Sequence, residues 1–225
     1  MISRSTLALL SLLAMLAGAC NANAQSAPPA DDFLDPQPTE QRAAPPAEGR
    51  AAAYFAGGCF WCMEGPFEAL PGVVEVWSGY AGGSTEYPSY HRVANGETDF
   101  VEAVRVEYDP ATVTYAALLE TFWKTHDPTD AEGQFADRGP HYRPVIWVQS
   151  EEERAAAESS KQALAESGVF GDEAIVVPIE DFDSFWYAEE YHQDYYLKNP
   201  GHYNSYRRLS GRTGFLRRHW GDEAH

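Results

Sequence analysis

From Ala51 onward the chain sets out strand, helix, strand, strand, helix, strand, and in a chain of 225 residues that order restricts the fold more than any other feature. "AAAYFAGG" reads as a short strand closing on glycines, followed by a helix or helical turn from about Cys59 to Leu70. Pro66 suits that helix only in a first turn, where its missing N–H is not needed, so 59–64 is expected to be a separate turn or a kinked start. "VVEVWSGYAGG" is the second strand and "FVEAVRVEY", residues 100–108, the third, with a long loop at about 79–99 between them. Asp109-Pro110 ends the third strand, and "TYAALLETFWKTH" from Thr114 has the spacing of an amphipathic helix. A second long loop, 127–142, precedes the strand "RPVIWVQS". Ser150 and Glu153 make a capping box for a helix to about Ser167, stopped by Gly168. "AIVVPIEDF" and "SFWYAEEYHQDYYLKN" add a strand and a helix before an irregular aromatic tail.

The order β-α-β-β-α-β is that of the split-βαβ, ferredoxin-like arrangement. It predicts a two-layer α+β domain over about 51–215, with 216–225 as a C-terminal tail. Two long loops in so compact a domain are expected to carry function. The stretch 25–50 is rich in Pro, Ala and charge and is expected to be a flexible tether. Residues 1–24 read as a secretory signal, since the apolar run after Arg4 is too short and too Ala-rich to span a membrane comfortably. Two processing sites compete. "AGAC" resembles a lipoprotein box ending at Cys20, which would be lipidated and would anchor the chain to a membrane; "ANA" at 22–24 would allow ordinary cleavage before Gln25.

Export would place the thiols in an oxidising compartment such as the periplasm. Once the signal is removed, Cys59 and Cys62 are the two left to pair, apart from a lipidated Cys20. Residues three apart close too small a loop to stabilise a fold, so a working disulfide is expected rather than a structural one. The formal charge of −18 argues against a nucleic-acid partner, which needs a basic face.

Cys59 stands where a glycine-ended strand turns into a helix. Free N–H groups at a helix start stabilise a thiolate, so its pKa is expected to fall, with Gly57 and Gly58 leaving the sulfur accessible. In a helical turn Cys62 lies on the same side, at a separation suited to a disulfide. Glu102 interrupts the apolar set Phe100, Val104, Val106 and Tyr108 on the third strand, opposite the set that holds Arg105 and Glu107. There it is expected to be desolvated and to stay a proton donor near neutrality; the alternative is a strand-end carboxylate reaching solvent. Tyr90 and Tyr142 lie in the two long loops, with Asp137 near Tyr142, and taken singly each is as readily a packing residue as a ligand. His126, His141, His192 and His202 lack the spacing of a metal site, and no metal is expected.

Taken together, "GCFWC", "GYAGG", "YPSY", "VEAVRVEYDP", "HDPT", "QFADRGPHYRPVI", "YAEEYHQDYYLKNP" and "HYN" resemble, in order and over about 55–206, the type A peptide-methionine sulfoxide reductases. The resemblance implies an enzyme of protein repair under oxidative stress that reduces the S epimer of methionine sulfoxide, in proteins or free, without a bound cofactor. It implies that Cys59 attacks the sulfoxide sulfur and becomes a sulfenic acid, that Glu102 protonates the oxygen, and that Tyr90 and Tyr142 hydrogen-bond to it. Asp137 would support the polar pocket, and Phe60 and Trp61 would receive the S-methyl group, which accounts for two large aromatic residues between two cysteines. Many relatives keep a recycling cysteine in the tail where this chain has Asn204. Cys62 is then the thiol left to resolve the sulfenic acid, as a Cys59–Cys62 disulfide reduced by a thioredoxin-like donor. A monomer is expected.

Two rival readings stay open: a thioredoxin-like disulfide oxidoreductase using the same C-x-x-C, and a non-enzymatic exported binding module with a small structural disulfide. The first gives Glu102 and the tyrosines no role. Mass analysis of the mature N-terminus separates the two processing routes: a lipid-bearing Cys20 is expected, and a chain starting at Gln25 would exclude the anchor.

Overall fold

The computed structural model describes residues 42–85 and 87–221. The signal, Cys20, the tether up to residue 41 and the last four residues of the tail lie outside the described residues. The described strands are β1 (Ala51–Ala56), β2 (Val73–Ala81), β3 (Val101–Tyr108), β4 (Gly133–Gln134), β5 (Asp137–Arg138), β6 (Val145–Val148), β7 (Ile179–Asp181) and β8 (Phe185–Tyr187). The helices are α1 (Trp61–Glu68), α2 (Tyr90–Ala94), α3 (Tyr115–Trp123), α4 (Glu151–Glu166), α5 (Tyr195–Lys198), α6 (Pro200–Leu209) and α7 (Arg212–Trp220), with short 3-10 turns at Pro140–Tyr142 and Glu190–His192. This is a mixed α+β fold. Six strands form one sheet in the order β7-β6-β1-β3-β2-β8, and β4 and β5 make a separate hairpin. β1, β2, β3, β6 and β8 pair antiparallel, and β7 joins β6 in parallel.

The alternation along β3 explains how the layers form. Val104, Val106 and Tyr108 face the main core, where Phe55, Phe67, Leu118, Leu119 and Phe122 pack between the sheet and α1, α3 and α4. Val101 and Ala103 face the other side, in a second cluster with Tyr54, Trp147 and Phe185. That second face is covered, so all eight residues of β3 are buried. Arg105 and Glu107, the polar half of the strand, are consequently buried as an ion pair 3.2 Å apart, with Arg50 adding a contact to Glu107 at 3.1 Å. Residues near the end of the expected tether contribute to this cover. Arg42 bridges to Trp186, and the Ala43 N–H donates to the Phe185 carbonyl at 2.8 Å.

Several local expectations change. α1 starts at Trp61 and Pro66 lies inside it, not in its first turn. The 79–99 segment holds the last residues of β2 and all of α2, and 127–142 holds the β4–β5 hairpin and a 3-10 turn. "AIVVPIEDF" is a strand only over Ile179–Asp181, and the segment read as a last helix is β8, a 3-10 turn and the short α5. Its aromatic residues pack on separate neighbours, Phe185 on Tyr54, Tyr187 on Trp77, Tyr195 on Trp61 and Tyr196 on Tyr203, so no helical stripe forms. The tail read as irregular is α6 and α7, and α7 crosses the boundary expected at 215.

Side-chain caps start α3 and α4, where Thr114 and Ser150 each accept a backbone N–H. Ser150 Oγ accepts from the Glu153 N–H at 3.2 Å, and the Glu153 carboxylate reaches back to the Gln149 N–H at 2.7 Å. Ser150→Ala is expected to lower unfolding stability by about 1 kcal/mol, read from the urea midpoint at constant slope. An unchanged midpoint would show that Glu153 alone satisfies the start of α4.

Candidate active site

β1 and β3 are antiparallel, with Phe55 opposite Val104, so the end of β1 lies beside the start of β3. Cys59, just beyond β1, is thereby brought to Glu102, the second residue of β3. β2 ends on the same edge, with Tyr80 opposite Glu102, and leads towards α2, which begins at Tyr90. β6 begins there too, with Val145 opposite Ala56, so the segment before it delivers Asp137 and Tyr142. The structure gathers Cys59, Cys62, Phe60, Trp61, Tyr90, Glu102, Asp137 and Tyr142 at this one edge.

Glu102 is 2% exposed and its Oε2 accepts the Phe60 N–H at 3.2 Å. Burial pushes its pKa up to about 8, only partly offset by that hydrogen bond and reinforced by the charges of Asp137 and Cys62. At neutral pH the carboxyl holds its proton. The phenols of Tyr90 and Tyr142 are raised first by burial, then by Glu102 and Cys59, which places both rings against that pair; Tyr90 is pushed up to about 12. Both are hydroxyl donors at every physiological pH.

The expectation of an accessible, acidified Cys59 is corrected. Both cysteines are free thiols, Cys59 6% and Cys62 1% exposed. Burial pushes the Cys59 thiol well above its usual value, helped by the hydrogen bond with Cys62 and by Glu102. The Phe60 amide, which a helix start would offer to the sulfur, is taken by Glu102. Cys62 is instead the acidified thiol, lowered to about 7 by the hydrogen bond from Cys59 against the effect of burial, with further help from the charges of Arg212 and Arg207.

Phe60 is buried, with its ring 6.0 Å from Tyr80 and 4.9 Å from His192. Trp61 is half-buried and held on three sides. Tyr195 stacks on it at 3.8 Å, Tyr206 meets it edge-on at 6.0 Å, and its indole N–H donates to His192 Nδ1 at 3.1 Å. An acceptor at Nδ1 places the His192 proton on Nε2, and burial lowers the ring's pKa to about 3, so it stays neutral. Asp137 accepts a hydrogen bond from the Tyr206 hydroxyl, which also reaches Cys59.

Tyr206, Tyr195, His192 and Glu189 are site residues that the sequence reading did not assign. Glu189 accepts from the Tyr80 hydroxyl at 2.9 Å and from the Tyr90 N–H at 2.8 Å, and so fixes the start of α2. The one available signal was the density of aromatic and ionisable residues in "YAEEYHQDYY" and "HYNSYRR", which a helical stripe does not explain. Among the described residues no group of three or more His, Cys, Asp or Glu is placed to hold a metal ion.

A buried thiol pair beside a protonated carboxyl and two phenol donors defines a thiol-dependent oxidoreductase. The chain belongs to the peptide methionine sulfoxide reductase family, whose model matches residues 51–224. It is 53% identical over 168 residues to the peptide methionine sulfoxide reductase MsrA of Ligilactobacillus salivarius, covering 75% of this chain and 96% of that protein. It is 51% identical over 175 residues to the MsrA of Bacillus subtilis, covering 78% and 98%. Among solved structures it resembles reduced Mxr1 from Saccharomyces cerevisiae, with a TM-score of 0.64 at 32% identity, covering 70% of this chain and 90% of that one.

Because Glu102 keeps its proton in the folded state to about pH 8, its contribution to stability is complete below the ordinary carboxylate value of 4.5 and is lost as pH rises through about 8. Glu102→Gln is therefore expected to gain on the wild type by about 1.4 kcal/mol per pH unit across that window. Urea unfolding at a series of pH values tests this; a pH-independent difference would mean that Glu102 ionises normally.

Proposed function

We propose that the chain reduces methionine-(S)-sulfoxide, in oxidised proteins and as free methionine sulfoxide, to methionine. The observation that carries this reading is the meeting of Cys59 with a protonated Glu102 and the phenols of Tyr90 and Tyr142. The sulfoxide oxygen is a strong hydrogen-bond acceptor and a poor leaving group, and protonation makes sulfur open to attack. Glu102 protonates that oxygen while Tyr90 and Tyr142 hydrogen-bond to it, and Cys59 attacks the sulfur. Oxygen passes to Cys59 as a sulfenic acid, methionine leaves reduced by two electrons, and the thiol proton replaces the one given up by Glu102. Phe60 and Trp61, with Tyr195 and Tyr206 around the indole, give the S-methyl group an apolar seat. Asp137, held by Tyr206, supports the polar side of the pocket.

Cys62 then attacks the Cys59 sulfur, forming the disulfide and releasing the oxygen as water. A thioredoxin-like dithiol returns the pair to thiols. The sheet order β6-β1-β3-β2 supports reading the core as ferredoxin-like, with β7, β8 and the C-terminal helices appended. We further propose that the catalytic domain is exported behind the tether that starts at residue 25 and acts in the periplasm as a lipoprotein anchored at Cys20. The apolar run to Ala19 and the "AGAC" sequence support that reading.

The purified protein, offered separated S and R methyl sulfoxides with a dithiol, is expected to reduce the S form and leave the R form. Reduction of insulin disulfides without sulfoxide turnover would replace this reading with a disulfide oxidoreductase. Cys62→Ser is expected to release one methionine per chain and then stop as a sulfenic acid; sustained turnover with a thioredoxin-like donor would remove Cys62 from its resolving role. Glu102→Gln is expected to slow sulfoxide reduction by roughly 10²–10⁴ with the fold intact. Wild-type rates near neutral pH would dismiss Glu102 as the acid.

A further inference from the structure

Arg212, at the start of α7, is 1% exposed, and its guanidinium is spent on neutral acceptors. Nη2 donates to the Gly57 carbonyl at 3.1 Å, Nη1 donates to the Thr125 carbonyl, and Nε has no protein partner. The plane lies 4.8 Å over the Phe135 ring. Among the described residues no carboxylate pairs with it, although the chain carries 34 acidic side chains against 16 basic ones. A buried guanidinium without a counter-ion is costly, and folded chains seldom keep one without an anion nearby.

The backbone it grips is the turn that presents the thiols. Gly58 adopts φ +85, and a Cβ there would stand 2.7 Å from Arg212 Nη2 and 2.6 Å from Gln134 Cβ. The guanidinium therefore sits directly behind the residue that precedes Cys59, in space that a side chain would fill. Eight titratable or charged groups face the two sulfurs: Tyr90 from α2, Glu102 from β3, Asp137 from β5, Tyr142 from the 3-10 turn before β6, Tyr203, Tyr206 and Arg207 from α6, and Arg212 from α7. Glu102 and the tyrosines are neutral at pH 7. Asp137 is engaged by Tyr206. Arg207, half-buried, donates to Thr213 Oγ1 at 3.4 Å. Arg212 is the fully buried cation of the set, and the charge it can balance there is a thiolate.

We propose that Arg212 is the counter-cation of the Cys59–Cys62 pair, holding the resolving sulfur as a thiolate in the reduced enzyme. The inference rests on the reductase reading above for the step it serves. In that step the Cys62 thiolate attacks the Cys59 sulfenic sulfur; the S–S bond forms, the S–O bond breaks, and the hydroxide leaves with the proton of Glu102, as water. Formally, the Cys62 sulfur is oxidised and the Cys59 sulfur reduced by one electron each. A thiolate already present needs no base at the moment of attack. Arg212 touches neither substrate nor the reacting oxygen, so it is a positioning residue that acts through charge.

The test follows ultraviolet thiolate absorbance against pH in the reduced wild type, Arg212→Met and Arg212→Lys, with Cys62→Ser to assign the signal. The wild type is expected to show one thiolate per chain near neutrality. In Arg212→Met its midpoint is expected to rise by about one pH unit or more, and disulfide formation after a single turnover at pH 7 to slow about tenfold. Arg212→Lys keeps the charge and is expected to restore most of both. Equal shifts in the Met and Lys variants, or none in either, would reduce Arg212 to a backbone tie. Should neither variant fold, the wild type alone decides, since a first thiolate appearing only near the ordinary thiol range overturns the proposal. Absence of sulfoxide turnover with the titration shifts intact would reject the reductase reading and leave the thiolate pairing standing.

Discussion

One hydrogen bond ties together the parts of this molecule that matter: the Phe60 N–H, at the mouth of α1, donates to the buried carboxyl of Glu102, 42 residues further along the chain. It requires β1 and β3 to be antiparallel in their observed register, since a slip of one residue would turn Glu102 to the second core. It sets the entry of α1 and so the placement of both sulfurs. It also satisfies a free amide of the helix start without water. The Glu102 carboxyl is buried by what this arrangement packs around it, and burial is what keeps it protonated.

The same geometry redistributes charge between the two cysteines. A helix start is commonly credited with acidifying the cysteine beside it, but here its amide is already occupied and the first cysteine is buried. Cys62 is instead the thiol that is lowered, first by the hydrogen bond from Cys59 and then by cations from α6 and α7. Burial and the neighbouring Glu102 raise the Cys59 thiol, while the Cys59 hydrogen bond and the cations of α6 and α7 favour the charged form of Cys62, three residues further on.

Legibility in the sequence followed the range of the interactions concerned. The strands, the Ser150 cap and α3 are governed by alternation, turn residues and local hydrogen bonds, and β1, β3, α3 and α4 lie close to where the pattern places them. Glu102 stood out because a carboxyl in an apolar stripe is anomalous whatever covers it. The last quarter departs from its local pattern because short segments there pack on separate neighbours. β8 is a strand because β2 offers it an edge, and α6 buries none of its residues fully. His192 looked like one of several possible ligands, and only the fold shows it accepting the indole N–H of Trp61. Tyr206 is marked in the sequence by nothing beyond the aromatic density of "HYNSYRR".

The sequence by itself determined the order of the elements, the C-x-x-C spacing with its intervening aromatic residues, and the one acid out of place on an apolar strand face, because these depend on neighbours within a few residues. Tertiary structure decided which thiol is raised and which lowered, which rings enclose Trp61, and why a buried arginine from α7 lies behind the thiol turn. Those outcomes depend on desolvation and on charges brought together from distant segments, and neither quantity exists until the chain has closed on itself.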